Sequence, residues 1–500
     1  MKKTMKKYFY LLFLFVFSIE ACYEDKGNYD YNPIPPIEME GIDTEYEVYS
    51  MLDRLQISPQ FSNKENYNFT WTLFSNTIVQ APVDTISFDL DLDYKVIEGA
   101  DTYTLTLTVE NKHNGDKQFF NTRVIVRTLY TTGCYILKEV DGETDLDLIN
   151  PKKDLISDIL KSTSNRIVGA PQSVAICSDI NYIDAEGKPQ ERVKTVWICS
   201  DKDARMLTLE HMTPVYDLNT MFYEEKANEQ PRCFFVNNSS LSYLSNNGFY
   251  DNFLLIPTAA HKFGLPLRVS NASAGESINC SCNKHVIYGR QYCIVYDEVN
   301  SRFLINSNGD LKCFSNTDKN NDPTSELLTP NNMNSDLIYM GNTTTNGHAL
   351  MKNRTIGQLL IYRMETAEYD RYNGRFFSPL LECKEITSDK KIIQAETYGH
   401  NTSFPYIYYS IGNRLNLFDY DSASESENLL PGLEGKITMI KHFKGTLPFG
   451  GNVTEYLVVA TEQNGHYKLY FHEMLAGRPN LSKEPIVIEG EGRAVQIEVV

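Results

Sequence analysis

The feature that most constrains the fold is a unit that recurs from Tyr130 onward: an apolar strand, a turn with Asp or Asn, and a second strand. Asn-Gly pairs, which favour tight hairpin turns, punctuate these runs at 247–248, 308–309, 346–347, 373–374 and 464–465. The clearest strand pairs are Thr195–Ile198 with Met206–Leu209, Cys293–Asp297 with Arg302–Ile305, Tyr406–Tyr409 with Arg414–Phe418, and Tyr456–Ala460 with Tyr467–Phe471.

The spacing of these pairs predicts the architecture of residues 131–500. The pairs recur at irregular intervals of about 40 to 65 residues, which is typical of four-stranded β-propeller blades with loop insertions. A chain segment of this length makes roughly six to eight blades. Since the last strand of a propeller usually closes against the first blade, we expect Ala494–Val499 to pair near Tyr135–Lys138. A row of separate β-sandwiches is the alternative.

An N-terminal β-sandwich is predicted over residues 41–130. Phe69–Leu73 alternates strictly, and Tyr103, Leu105, Leu107 and Val109 alternate with threonines, which is the period-2 pattern of strands buried on one face. Asn114-Gly115 then predicts a hairpin, with Phe120–Val126 as the returning strand. Trp71 stands where immunoglobulin-like domains place a core tryptophan. The fold class is therefore all-β, a sandwich followed by a propeller.

The N-terminus has the pattern of a secretion signal. Four lysines precede the apolar run Tyr8–Phe17, which at about ten residues is too short to span a bilayer. The segment Ile19-Glu20-Ala21-Cys22 resembles a bacterial lipobox, which implies a signal peptide over 1–21 and lipidation of Cys22. The acidic pair Glu24-Asp25 resembles the signal by which Bacteroidetes export lipoproteins to the outer face of the outer membrane. Prolines within 22–40 indicate an extended tether.

Charge and cysteine usage narrow the function classes. The formal charge is −18, and it becomes −21 once residues 1–21 with their four lysines and one glutamate are removed. A chain this acidic, without a basic block, is a poor candidate for nucleic-acid binding. Cys177, Cys199, Cys293 and Cys313 lie in or beside apolar runs, so we expect them to be small buried side chains, and few or no disulfides.

Several segments together resemble the PKD-like family of Bacteroidetes lipoproteins. They are Cys22–Tyr31, the sandwich with its Trp71, the passage from Gly133 to Glu139 with Asp141-Gly142, and Phe404–Tyr409. Such lipoproteins are typically encoded beside importers of the SusC/SusD type, an outer-membrane barrel with a lipoprotein lid. The resemblance implies an accessory role in capturing polymeric nutrients, glycan or oligopeptide, at the cell surface. It implies no reaction and no cofactor.

The sequence contains few patterns that are typical of catalytic or metal-binding sites. The nine histidines show no metal-ligand spacing on one predicted element, and no nucleophile elbow or glycine-rich phosphate loop occurs. Cys280 and Cys282 with His285 offer three soft ligands, although two free or disulfide-linked cysteines are the favoured interpretation. We therefore expect no metal and no catalysis. A propeller hydrolase acting on glycan or peptide is the alternative, and a structural protein that holds a transporter complex together is another.

Two kinds of surface site remain as candidates. Asp84-Thr85-Ile86 and Asp421-Ser422-Ala423 match the pattern on which Bacteroidetes O-glycosylate exported proteins, so Thr85 and Ser422 are candidate acceptors. Aromatic residues beside Asn-Gly turns could present rings to a sugar or a peptide. These candidate ligand contacts are Phe249, Tyr250, Tyr369 and Tyr372.

Overall fold

The structure, a computed structural model, describes residues 36–50, 52–77, 82–237, 240–256, 258–289, 292–314, 330–365, 369–370, 375–376, 380–449 and 453–500. These residues divide into two compact units. One lies within Met1–Tyr46, Arg54–Lys95 and Thr102–Ile125, and the other within Glu47–Asp53, Val96–Asp101 and Val126–Val500. No helix among the described residues is long and apolar enough to cross a membrane.

The first unit is built from a five-stranded antiparallel sheet and a two-stranded one. The larger sheet has the order β1-β7-β6-β3-β4, and β2 pairs with β5. A short 3-10 helix, Lys64–Asn66, precedes β3. The strands are β1 Glu45–Tyr49, β2 Arg54–Ile57, β3 Tyr67–Ser75, β4 Asp84–Ser87, β5 Leu92–Lys95, β6 Asp101–Asn111 and β7 Lys117–Arg127.

The alternation read from the sequence sets the core of this unit. Leu105, Leu107 and Val109 on β6 are buried, and Trp71 on β3 is fully buried with its indole N–H donating to the Leu90 carbonyl at 3.2 Å. The predicted hairpin is confirmed, since Gly115 has φ +76° and β7 returns beside β6. At the end of the predicted tether, the Ile37 N–H donates to Gln118 Oε1 at 2.9 Å and Glu40 pairs with Gln60.

Within the described residues, the second unit holds seven antiparallel sheets, here numbered I to VII, and one two-stranded hairpin. Sheet I combines β8 Cys134–Val140, β9 Glu143–Ile149, β10 Leu155–Ile156 and β11 Ile167–Val168 with the C-terminal strand β38 Arg493–Val499; helix α1, Ile159–Ser162, follows β10. Sheet II contains β12 Pro171–Ile183, β13 Pro189–Ser200, β14 Ala204–Thr208 and β15 Pro214–Asp217. Sheet III contains β16 Pro231–Asn237, β17 Ser240–Ser245 and β18 Gly248–Phe253.

The remaining sheets follow in chain order. Sheet IV contains β19 Ile287–Tyr288, β20 Cys293–Asp297, β21 Arg302–Ser307 and β22 Asp310–Cys313. Sheet V contains β23 Ser335–Asn342, β24 Asn346–Asn353, β25 Leu359–Glu365 and β28 Leu380–Glu385, with the hairpin β26 Tyr369–Asp370 and β27 Arg375–Phe376 between its last two strands. Sheet VI contains β29 Thr397–His400, β30 Tyr406–Ile411, β31 Arg414–Asp419 and β32 Ser424–Ser426, preceded by the 3-10 helix Lys391–Gln394. Sheet VII contains β33 Lys436–Gly445, β34 Thr454–Gln463, β35 His466–Leu475, β36 Arg478–Pro479 and β37 Ile486–Glu491.

The predicted strand pairs and the predicted return of the C-terminus are confirmed. All four strand pairs appear as neighbouring strands, and β38 pairs with β8 in the register Ala494 to Lys138 and Val499 to Cys134. Asn308-Gly309 and Asn464-Gly465 form turns in which both residues have positive φ. Asn346-Gly347 differs: it begins β24 instead of turning, and a Cβ on Gly347 would lie 2.8 Å from Ile287 Cδ1.

One strand at the end of each sheet contacts the corresponding strand of the next. These strands, here called the first strands, are β38, β12, β16, β19, β23, β29 and β33. Contacts join β38 with β12, β12 with β16, β19 with β23, β23 with β29, β29 with β33, and β33 with β38. Between β16 and β19, the rings of Phe235 and Tyr288 lie 5.7 Å apart, edge to face.

Polar side chains bridge these first strands. An edge strand leaves backbone N–H and C=O groups unpaired on one side, and buried groups of this kind need partners. Here side chains of neighbouring strands supply them. Two threonines donate to carbonyl groups: Thr397 Oγ1 to Ile437 O at 3.2 Å and Thr438 Oγ1 to Ala494 O at 2.6 Å. Two amide side chains each bond both backbone groups of one residue, Gln496 those of Val174 (N at 3.1 Å and O at 2.8 Å) and Asn342 those of Tyr288 (N and O at 3.3 Å each), and Ser173 Oγ accepts from Phe234 N at 2.7 Å.

A buried ionic network ties sheet VII to sheet I. Lys138 is fully buried on β8, with Nζ 2.7 Å from Asp147 Oδ1 and 2.7 Å from Asp158 Oδ1. The Tyr467 hydroxyl of β35 donates to Asp147 Oδ2 at 2.6 Å. Because each charge in the network has a partner of opposite sign or a hydrogen bond, the cost of removing it from water is largely offset.

Removing the Tyr467 hydroxyl tests whether the buried ionic network stabilises the fold. Tyr467→Phe leaves a lone pair of the buried Asp147 carboxylate without its donor, so we expect the free energy of unfolding to fall by about 1.5–3 kcal/mol. Urea denaturation of the full chain measures the loss. Tyr470→Phe is the matched control on the same strand, where the half-buried ring stacks with His472, and its effect should stay within about 0.5 kcal/mol. Equal losses in the two variants would contradict a role for the network.

Candidate functional site

A cavity of about 1090 Å³ lies where the first strands of the second unit begin. We call it the mouth cavity. Every sheet from I to VII contributes to its wall, because each first strand or the segment leading into it reaches this end. Its polar and aromatic wall residues include Arg493, Gln172, Ser173, Lys284, His285, Tyr339, Lys352, Gln358, Glu385, Glu396, Thr397, Tyr398 and Thr438.

Two smaller cavities adjoin this space. One of about 310 Å³ shares Gln172, Lys284, His285 and Ile338 with the mouth cavity, and its wall includes the Arg232–Glu298 ion pair. The other, of about 370 Å³, shares Gln496 and contains Tyr288 and the Lys441–Glu498 pair at 3.1 Å. The mouth cavity therefore has the largest volume of these three neighbouring cavities.

Cations and carboxylates both face the mouth cavity, and they differ in their pairing. Arg493 pairs with Glu139, and Glu396 pairs with Lys436 at 2.7 Å. The hydrogen bond from Lys436 lowers the pKa of Glu396, so this carboxylate is held in its charged form. Among the described residues, Lys284, Lys352 and Glu385 have no ion-pair or hydrogen-bond partner for their side chains and remain available to a ligand.

An aromatic platform lies in the wall beside these charges. The half-buried ring of Tyr398 stacks on the buried ring of Tyr339, with centroids 5.6 Å apart and planes within 20°. The His285 ring meets Tyr339 edge to face at 5.0 Å. Because Tyr339 fixes Tyr398 from behind, the Tyr398 ring is a rigid surface on which a flat ligand face can stack.

The histidines behind the platform are neutral. Burial lowers the pKa of His285 to about 3 and that of His400 to about 4, and it lowers the pKa of His348 well below the ordinary value. The Tyr339 hydroxyl lies 2.8 Å from His400 Nδ1, and burial raises the pKa of Tyr339. A tyrosine with a raised pKa beside a histidine with a lowered pKa resists proton transfer, so this pair is poorly suited to general acid–base catalysis.

The arrangements expected of a hydrolase do not appear among the described wall residues. Ser173 Oγ contacts Cys199 Sγ at 3.2 Å and accepts the Phe234 N–H, and no described hydrogen bond joins a wall serine to a histidine. The described part of the chain also holds no group of three or more His, Cys, Asp or Glu residues placed to bind a metal ion. Cys280 and Cys282 are free and buried, with sulfur atoms 3.7 Å apart.

The structure places the candidate ligand-contact residues from the sequence in different environments. Phe249 and Tyr250 are 0% and 1% exposed and pack in the core, so the expectation of exposed rings is wrong for both. The two rings lie on opposite faces of β18, and both faces are covered. Phe249 packs with Phe235 and Val269, and Tyr250 packs with Phe222 and Phe263. Leu267 N donates to Phe249 O at 2.7 Å. Tyr369 belongs to β26, of which only the backbone is described, and Tyr372 lies outside the described residues.

The other candidates lie on the surface or outside the described chain. Thr85 on β4 and Ser422 after β31 are both exposed, and Ser422 Oγ lies 2.8 Å from Ser424 Oγ. Cys22, Glu24 and Asp25 lie outside the described residues. The burial predicted for the four strand cysteines is confirmed: Cys177, Cys199, Cys293 and Cys313 are at most 7% exposed.

Sequence reasoning missed Tyr398, Lys284 and Lys352, which the structure places together around the mouth cavity. None of the three stands beside an Asn-Gly turn, which is the position at which the sequence predicts exposed rings. The property that the three residues share is their position: each lies at the end of its sheet where the first strands begin, and this end forms the cavity wall. That signal becomes readable only when the first strand of each sheet is known.

The N-terminal part of the chain is similar to a known protein family. Residues 22–171 match the PKD-like family. No curated protein sequence matches the chain. Similar solved structures include a quinonprotein alcohol dehydrogenase-like protein from Bacteroides thetaiotaomicron, with 12% identity, 92% of this chain and 97% of that chain covered, and a TM-score of 0.36. The WD40 domain of SCAP from fission yeast is also similar, with 8% identity, 72% and 75% coverage, and a TM-score of 0.24.

The neutral histidines predict how stability depends on pH. An unfolded histidine takes up a proton near pH 6.5, whereas folded His400 does so only near pH 4. Between these values the unfolded state binds more protons, so stability is complete above pH 6.5 and is lost as the pH falls towards 4. Each such histidine contributes a slope of about 1.4 kcal/mol per pH unit.

His348→Leu isolates one histidine of this set. His348 is fully buried and neither ring nitrogen has a hydrogen-bond partner, so an apolar replacement should leave stability at pH 7.5 nearly unchanged. Urea denaturation between pH 4.5 and 6.5 should show a slope shallower by about 1.4 kcal/mol per pH unit. His466→Leu, at an exposed position at the start of β35, is the control. The same slope in wild type and in His348→Leu would rule out a neutral, buried His348.

The two candidate glycosylation sites yield a mass prediction. Because Thr85 and Ser422 are exposed, a modifying enzyme can reach both hydroxyls. We expect protein purified from its native host to carry added glycan mass that Thr85→Val and Ser422→Ala each reduce. Intact-mass spectrometry measures it, with Thr77→Val, at a threonine that no aspartate precedes, as the control. An unmodified wild-type mass would remove both sites.

Proposed function

We propose that this chain is a cell-surface lipoprotein that binds a ligand without catalysis, as an accessory of a SusC/SusD-type outer-membrane importer. The observation that carries the binding role is the mouth cavity, in which unpaired lysines stand beside a rigid tyrosine platform. The neutral, mutually bonded side chains behind it favour binding over chemistry. The ligand is a glycan or an oligopeptide.

We further propose that sheets I to VII are the blades of a seven-bladed β-propeller. Three observations support it: the order of contacts among the first strands, the side-chain bridges between them, and the pairing of the C-terminal strand with β8. The mouth cavity would then be one end of the central channel. In such an arrangement every blade offers one strand to the ligand, so the site can be wide without any long loop.

The lipid anchor gives the binding role its physical advantage. The resemblance of Ile19–Cys22 to a lipobox and of Glu24-Asp25 to an export signal supports attachment to the outer face of the outer membrane. Confinement to a surface raises the effective concentration of the chain near a transporter in the same membrane, so that weak contacts suffice.

Affinity purification tests the proposal. Full-length tagged chain, purified from detergent-solubilised outer membrane of its native host, should bring down a SusC/SusD-type pair identified by mass spectrometry. Cys22→Ser should abolish membrane retention and deplete the pair, while Cys134→Ser, at a buried cysteine, controls for the loss of a thiol. Recovery of the wild-type chain alone would overturn the stable complex, and glycan or peptide cleavage by the purified chain would overturn the non-catalytic role.

A further inference from the structure

We propose that the mouth cavity binds an acidic oligosaccharide, with Tyr398 stacking on a sugar ring and Lys284 and Lys352 contacting carboxylates of the ligand. This inference rests on the proposed binding function and names its ligand class. Four properties of the wall support it: a ring face, unpaired cations, an unbonded amide, and strand edges that are already occupied.

The ring face is the first property. Tyr398 is half-buried, and its partner Tyr339 covers the opposite face, so the ring has little freedom to turn away. The Tyr398 hydroxyl makes a long contact of 3.4 Å to Ala395 O. A fixed ring of this kind presents its flat face to C–H groups of a sugar at small entropic cost.

The unpaired cations are the second property. The chain is strongly acidic, so long-range attraction does not draw anions to it, and anion binding must rely on local charges. Lys284 and Lys352 supply two such charges at the wall without a described carboxylate partner, whereas Arg493 and Glu396 are paired. Glu385 adds one negative charge, which an acidic ligand can avoid only if its carboxylates lie nearer to the lysines.

The hydrogen-bonding groups of the wall decide between sugar and peptide. Extended peptides are commonly recognised by adding a strand to a free sheet edge. Here backbone groups along these edges are already bonded, at Ile437 O, Ala494 O, Val174 N and O, and Phe234 N. The Gln358 side chain remains without a described partner. A ring, an amide and two ammonium groups match hydroxyls and carboxylates on a sugar ring better than a peptide backbone.

Calorimetric titration of the purified full chain tests the ligand class. The probes are a hexamer of galacturonate, a neutral maltohexaose and hexaglutamate, at 50 and 300 mM salt. We expect the galacturonate hexamer to bind more tightly than either other probe and to weaken at higher salt. Tyr398→Ala should reduce its affinity about tenfold, while Tyr398→Phe should retain most of it.

The lysines need a separate comparison. Lys284→Ala with Lys352→Ala should weaken binding of the galacturonate hexamer at low salt and flatten the salt dependence. Lys194→Ala, at an exposed lysine outside the cavity, should change neither. Unchanged thermal unfolding of each variant shows that it is folded. A loss of affinity restricted to the cavity variants supports the proposal.

Other outcomes overturn the ligand class in distinguishable ways. Equal binding of maltohexaose, unaffected by the lysine substitutions, would overturn the acidic ligand and keep a binding function. Tight binding of hexaglutamate alone would overturn the sugar. Failure of all three probes, together with recovery of the importer in the affinity purification, would overturn a ligand site in the cavity and leave the accessory role intact.

Discussion

The second unit depends on satisfying the exposed backbone edges of its first strands. A sheet that ends in an edge strand presents a row of unpaired N–H and C=O groups, and among the described residues each of sheets I to VII ends in such a first strand. Threonine, serine, glutamine and asparagine side chains of one sheet bond the backbone of the next, as at Thr438 and Gln496. The groups that would otherwise recruit another strand therefore hold neighbouring sheets together.

Close approach is a second condition for this arrangement. A Cβ on Gly399 would lie 2.5 Å from the Ile440 carbonyl oxygen, and one on Gly341 would lie 2.4 Å from His400 Nδ1. Both glycines are on first strands, so the absence of a side chain lets adjacent sheets meet. The short Tyr339–His400 hydrogen bond occurs at the second of these approaches. Packing between sheets V, VI and VII is thus fixed by glycine positions as well as by apolar burial.

The sequence predicts strands better than it predicts the site, and the reason is physical. Alternation and Asn-Gly turns are local properties, so Tyr456–Ala460 and its partner strand are read without knowledge of the fold. Even the return of Ala494–Val499 to Tyr135–Lys138 follows once repetition of the unit is recognised. Burial of Phe249 and Tyr250, by contrast, depends on a covering segment more than ten residues later in the chain, and no local pattern reports it. Tyr398, Lys284 and Lys352 meet only through the arrangement of sheets.

The mouth cavity combines two environments. In and next to the wall, His348 and Tyr339 are buried and His400 is half-buried, and burial shifts the pKa of each group away from its charged state. At the surface of the wall, Lys284 and Lys352 have no described ion-pair or hydrogen-bond partner. The Tyr339 ring is held in place because it contacts the rings of His285, His348, Tyr398 and His400. In the proposed binding role, a rigid wall with unpaired lysines would select a ligand by its shape and the sign of its charge.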